Sequence, residues 1–228
     1  MSTTGFFLPF RREDMIVSLN EAESTVRKAF RGAGYHWGEA EEAGKAAVWL
    51  IRRKLPVIEP LLQLLRSLDG SPASRRPIVA AGTWRAASGK LCPVLAGIAL
   101  ADTAMDLRIG SEICFENLRL PPLLIPFASM AANESQLSLS LHWQGNAIVV
   151  QGDECRGDLT NSEDQATTFL STQPSGDAFE AVAFEKEKTL NIEAEQWAEL
   201  NRFATKTYVP ASERSRAVGA GAGLTDND

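Results

Sequence analysis

Histidine is scarce in this chain. Its 228 residues carry two, His36 and His142, beside three cysteines and two tyrosines. Two histidines with no His-x-x-x-His pair give little from which to build a transition-metal site. Cys92, Cys114 and Cys155 are odd in number and lack a Cys-x-x-Cys pair, which argues against a zinc knuckle and a disulfide framework. No metal is therefore expected. Excess positive charge is missing too: the net charge is −6 and the pI about 5.1. No global field draws a phosphate backbone, so nucleic acid is not an expected partner. Long apolar runs are also wanting. Residues 91–101, broken by Pro93 and followed by Asp102, fall short of the roughly 20 residues a membrane span takes. Residues 1–12 have no basic residue ahead of their short apolar run and hold Pro9 inside it, unlike a secretory signal. The expectation is a cytoplasmic protein with reduced thiols and no membrane association.

What is present is enough apolar residue, 44%, to bury a core without staples. Ser18-Leu19-Asn20-Glu21 has capping-box spacing and predicts a helix through Arg31, with Leu19, Ala22, Val26, Ala29 and Phe30 at helical period and Gly32 and Gly34 as its stop. A second helix is expected over residues 39–54, with Glu39, Glu41 and Glu42 at its start and Arg52, Arg53 and Lys54 at its end, where the helix dipole favours each sign. A third, over residues 59–68, is leucine-rich and reads as buried. Residues 69–77 have loop composition. Residues 93–105 suit a short buried helix, with a strand as the alternative. Ile113 and Phe115 alternate with polar neighbours, and the proline-broken run of 118–130 predicts strands at a sheet edge.

Leu137, Leu139, Leu141 and Trp143 alternate with Ser138, Ser140 and His142, and after Gln144-Gly145-Asn146 an apolar run resumes, as in a hairpin. Residues 152–176 read as a long acidic loop, and 178–184 as a strand. Asn191 is placed to cap a last helix with a core stripe of Trp197, Leu200, Phe203 and Ala204. The order of elements predicts an α+β fold: a helical hairpin plus a buried helix, an antiparallel-rich sheet, and a C-terminal amphipathic helix with a glycine-rich tail. The division is an N-terminal extension (1–17), one α+β domain (18–206, with a sub-boundary at 69–77) and the tail (207–228).

Candidate chemistry concentrates at two places. In the tail, Arg214 and Arg216 precede Gly219, Gly221 and Gly223; the glycines let backbone approach a ligand and the arginines can hold a carboxylate or phosphate. The glycine spacing fits neither a dinucleotide turn nor a Walker loop, because no helix can follow and no lysine–hydroxyl pair does. The five residues are candidate ligand-binding groups for a small anionic metabolite. The second place is the turn at residues 32–38, where His36 is the candidate general base. A helix-turn-helix DNA reader does not fit, because the second helix opens with glutamates. Further along, His142 stands two and four residues from Ser140 and Ser138, as a base beside a serine nucleophile would. The acidic run at residues 153–158 lacks the alternate-oxygen spacing of a calcium loop. Cys92 and Cys114 read as core, and Cys155, in that run, as the thiol with a charged neighbour, Arg156. No residue pattern names a cofactor. Whether the chain is an enzyme stays open, against a non-catalytic partner or subunit, including a homo-oligomer.

Taken together, Ser18-Leu19-Asn20-Glu21, Gly32-Ala33-Gly34, Trp37-Gly38, Ala40-Glu41-Glu42-Ala43-Gly44 and Tyr208-Val209-Pro210-Ala211-Ser212-Glu213 resemble an uncharacterised bacterial family of unknown function. That resemblance implies that both ends serve one unit, and it assigns no reaction. Residues 15–65 are also similar to the opening helix pair of the type-2 malate and lactate dehydrogenases, which implies a degenerate dehydrogenase-like protein. Those enzymes follow the pair with a Ser-His-Gly segment; Ser67-Leu68-Asp69-Gly70 here lacks the histidine, so no catalytic residue carries over.

Overall fold

The computed structural model describes residues 14–67, 72–80, 82–159, 165–176 and 187–207. Ser18 begins α1 (Leu19–Gly32) as its spacing predicts, its Oγ accepting from the Glu21 N–H at 3.2 Å. Ala22, Val26, Ala29 and Phe30 form the buried stripe. Gly32 is the last helical residue, and Gly34, at φ 99°, makes the left-handed turn that follows. The second helix, α2 (Trp37–Arg52), starts two residues earlier than expected. In α3 (Ile58–Arg66), Leu61, Leu62, Leu64 and Leu65 are all buried. The C-terminal helix α6 (Ala194–Thr205) closes this layer, with Trp197, Leu200 and Ala204 buried.

The Asn191 cap expected from sequence is not formed. Asn191 lies inside β9 (Thr189–Glu193), opposite Ile16 of β1 (Asp14–Ser18), in a two-stranded antiparallel sheet. Period-two burial decides it: Leu190 and Ile192 point to the core and Asn191 between them is exposed, so the strand persists until Glu193.

The second layer is a seven-stranded mixed sheet: β2 (Ile78–Ala80), β3 (Thr83–Arg85), β4 (Glu112–Arg119), β5 (Leu137–Trp143), β6 (Asn146–Gln151), β7 (Glu154–Asp158) and β8 (Gln165–Pro174). Its order is β2-β3-β4-β8-β5-β6-β7, and β3 with β4 is the parallel pair. The fold is α+β. The β5–β6 hairpin forms as read, with Gln144 at φ 42° and Gly145 at φ 81° supplying the two left-handed residues of a tight turn.

Two expectations in this layer fail. Residues 152–176 are not a long loop, since they contain β7 and β8, and β8 pairs with both β4 and β5. Its inward positions are Ala166, Thr168, Leu170 and Thr172, all buried. Buried threonines look polar in sequence while their branched Cβ suits a strand. Residues 118–130 are likewise not edge strands. After β4 ends, a 3₁₀ turn (Pro121–Leu124) leads into α5 (Ile125–Ser135). Pro126 falls in the first helical turn, where its missing N–H costs nothing. Ile125 to Ser129 are all buried, so the first turns of the helix show no period, and only Met130, Asn133 and Glu134 near its end face outward. The helix expected near 93–105 is α4 (Pro93–Asp102). The strand expected at 178–184 lies outside the described residues.

Burial divides into two apolar clusters, one among the helices with β1 and β9, the other between the large sheet and α4 and α5. Trp49 of α2 packs against both. The Arg53 guanidinium stacks 3.7 Å from its ring centroid, donates to the Trp49 carbonyl at 3.3 Å, and donates to the Asp153 carbonyl in the β6–β7 turn. Arg53 thus fastens the helical layer to the sheet.

Candidate anion site at the start of the first helix

The turn at residues 32–38 is built chiefly from contacts within itself and with its supports. Tyr35 is fully buried, 4.8 Å from the Phe30 ring, and its hydroxyl lies 3.1 Å from Cys92 Sγ. Burial first, and then the neighbouring thiol, push that phenol well above its ordinary pKa. Arg31 Nη1 donates to the Tyr35 carbonyl at 2.6 Å, with its guanidinium 5.2 Å from the Trp37 ring centroid. His36 is the N-cap residue of α2: its backbone N–H donates to the Glu39 carboxylate at 2.9 Å, and the same carboxylate pairs with Arg76. The imidazole is exposed. Replacing His36 with Gln keeps the backbone bond to Glu39, so the loss of stability is no more than about 1 kcal/mol, the typical scale of an N-cap change. Thermal unfolding checks this.

Arg214, Arg216, Gly219, Gly221 and Gly223 lie outside the described residues. His142, Ser140 and Ser138 share one sheet face, but the serines are not on a wet face as expected. Ser138 and Ser140 are buried, His142 is exposed, and among the described residues neither serine bonds to it.

Two cysteine expectations change. Cys155 is buried within β7, because the acidic run at 153–158 is mostly strand and not loop. Its thiol is pushed up to about 11 by burial, partly offset by Arg53 and reinforced by Glu154. Cys114, expected in the core, is only half-buried in β4. Cys92 is fully buried and its thiol is also raised. A maleimide added to the native chain near neutral pH should label Cys114 first, with Cys92 and Cys155 reacting only on unfolding. Mass spectrometry of the labelled peptides checks the order. All three thiols are raised by burial, Cys114 also by Glu116, so access decides the order: Cys114 is the one that is not fully buried.

The described residues do converge elsewhere. Antiparallel pairing sets Ser18 of β1 opposite Thr189 of β9, which brings Lys188 beside the start of α1. The Glu187 N–H donates to the Arg52 carbonyl at 3.4 Å, holding the end of α2 against the same point. Ser18, Leu19, Asn20, Arg52, Glu187 and Lys188 line a cavity of about 470 Å³. Ser18 serves the Glu21 amide, leaving the amides of Leu19 and Asn20 among those an α-helix cannot bond internally. Glu187 pairs with Lys54 at 3.0 Å. Arg52 and Lys188 are exposed and have no carboxylate partner among the described residues. Helix-start amides, the positive end of a helix of 14 residues, Arg52 and Lys188 give the site a net positive lining, with Glu187, paired to Lys54, its one carboxylate.

None of this was read from sequence. Ser18 to Asn20 is visible there only as a helix start, and Arg52 only as a complement to the dipole of α2. Lys188 lies in a stretch to which no element was given, and its meeting with Arg52 depends on the β1–β9 pairing.

The class so defined is an α+β protein with a small, positively lined cavity at a helix start. Residues 17–92 match the model of a family described as a protein of unknown function, DUF3726. The match takes in the N-terminal motifs of the resemblance and stops before Tyr208. Among curated proteins none matches the chain. A crystal structure of malate dehydrogenase from Entamoeba histolytica aligns with a TM-score of 0.43 and 9% identity, covering 67% of this chain and 51% of that one. The chain thus spans about half the length of that enzyme. No helix among the described residues is long and apolar enough to cross a membrane.

Proposed function

We propose that this chain is a cytoplasmic binding protein for a small anionic metabolite, held at the start of α1 between Arg52 and Lys188. One observation carries the reading: two cations without carboxylate partners among the described residues flank the open amides of Leu19 and Asn20 around a cavity of about 470 Å³. A carboxylate or phosphate there receives backbone N–H bonds and charge-assisted bonds together. The volume lies within the roughly 300–1,000 Å³ of small-molecule sites. The tested outcome is a rise in melting temperature with small organic acids or inorganic phosphate. At a hundredfold excess over Kd, a ligand of the native state adds about 2.7 kcal/mol. The same panel on a chain ending at Lys206 reports whether the arm with Arg214, Arg216, Gly219, Gly221 and Gly223 contributes. No shift with any anion on the full chain overturns the proposal.

A further inference from the structure

We infer that the outward face of the seven-stranded sheet binds a second copy of this chain, about a two-fold axis lying along β5. The other face packs on α4 and α5. On the outward face, no described side chain of β8, β5 or β6 is Asp, Glu, Lys or Arg, in a chain that is 23% charged. Phe169 stands among them, 55% exposed. Loss of charge around an aromatic marks the centre of a protein contact, and a polar rim surrounds it. The flanking strands supply that rim, with Glu112 and Glu116 on β4 and Glu154 and Arg156 on β7. The strand registers fix what a second copy meets. Glu112, Ser171, Ser140, Val149 and Arg156 stand in one row across β4, β8, β5, β6 and β7. The neighbouring row carries Phe169, His142 and Ala147 on β8, β5 and β6. A two-fold along β5, the middle strand of these five, keeps each row at its level while exchanging β4 with β7 and β8 with β6. Glu112 of each copy then faces Arg156 of the other, and each Phe169 ring lies over the small Ala147. A two-fold across the strands at the same level would set Glu112 on Glu112 and Arg156 on Arg156, and like charges select against it. Aligned sheets cross at about 30°, an offset that the long Glu112 and Arg156 side chains can span. β5 is seven residues long, so five strands about 4.8 Å apart, at about 3.4 Å per residue, present roughly 600 Å². Two such faces bury about 1,200 Å², the lower edge of specific, stable interfaces.

The test is sedimentation velocity of the full chain from micromolar to a few hundred micromolar, where a monomer–dimer equilibrium is expected. Phe169→Asp, at an exposed position, should raise the dimer Kd about thirtyfold or more. Thr167→Lys, also exposed on β8, probes the same face should Phe169→Asp not fold. Glu112→Arg and Arg156→Glu each set like charges together and should raise Kd about tenfold. The double reversal should return it to within about threefold of the native value, which no effect on folding alone would do. Melting curves confirm that each variant folds. Cys114 lies on this face, opposite Phe169, so its maleimide labelling should slow as the chain is concentrated. A chain that stays monomeric throughout, or a dimer indifferent to both β8 variants, overturns the proposal. A dimer weakened by Phe169→Asp but not restored by the double reversal overturns the two-fold along β5.

Discussion

Gly32→Ala lowers stability by about 3 kcal/mol, the upper end of the overpacking range, because the added methyl meets backbone. A Cβ on Gly32 would stand 2.0 Å from the carbonyl oxygen of Phe203 and 3.2 Å from Lys206 Cβ. A carbonyl within α6 cannot turn aside as a flexible side chain would, so α1 and α6 must separate along a seam that buries Ala29, Trp197 and Leu200. For a chain of this length the melting temperature falls by roughly 6–12 °C. Gly38→Ala is the control. It lies exposed in the first turn of α2 with nothing within 4 Å of the added carbon, so the substitution is neutral or gains up to about 1 kcal/mol from helix propensity. If Gly32 served only to stop α1, both substitutions would shift the melting temperature little; a loss below about 1 kcal/mol at Gly32 contradicts the close α1–α6 approach.

Loss of the two cations produces the second large effect, on binding and not on folding. A charge-assisted hydrogen bond contributes about 1.5 kcal/mol or more, so Arg52→Ala and Lys188→Ala each raise the Kd of a small carboxylate about tenfold. The side chains come from different elements and touch the ligand separately, so the double variant loses about a hundredfold if the effects add. Neither has an ion-pair partner among the described residues, and both are exposed, so the melting temperature of the free chain moves little. Lys54→Ala is informative beside them. It frees the Glu187 carboxylate, 3.0 Å away, next to the cavity, and should weaken anion binding without removing any group assigned to the ligand. Calorimetry on the four chains separates these outcomes. An unchanged Kd in the double variant contradicts the placement of the site.

Periodic elements with a wet face were legible in the sequence. The stripe of α1, the leucines of α3, the β5–β6 alternation and the core face of α6 each follow from a pattern of period 3.6 or 2. Of the elements buried from several sides, α3 and α4 were read as buried helices, α4 with a strand as the alternative, while α5 and β8 were missed. The apolar run through Ile125, Phe127 and Ala128 shows no period, and its prolines mimic a strand edge when they in fact lie at a helix start. β8 was hidden by Thr168 and Thr172, whose hydroxyls read as surface while their burial is complete or nearly so. The turn holding His36 was read as a candidate site for a general base, and what the structure shows there is support: Tyr35 on Cys92 beneath, and Glu39 shared by the His36 amide and Arg76. The cavity at the start of α1 was illegible for a topological reason. It is assembled from three chain segments that become neighbours only when β1 pairs with β9 and Glu187 bonds to the end of α2. Residues so far apart in sequence carry no shared local pattern.

Amide chemical shifts during titration of the isotope-labelled full chain with butanoate test the central claim most directly. The Leu19 and Asn20 amides should move most, with saturation at the calorimetric Kd, and should not move in the Arg52→Ala, Lys188→Ala chain. Shifts centred on residues 32–38 or 207–228 with Leu19 and Asn20 unmoved, or no saturable shift at all, would contradict it.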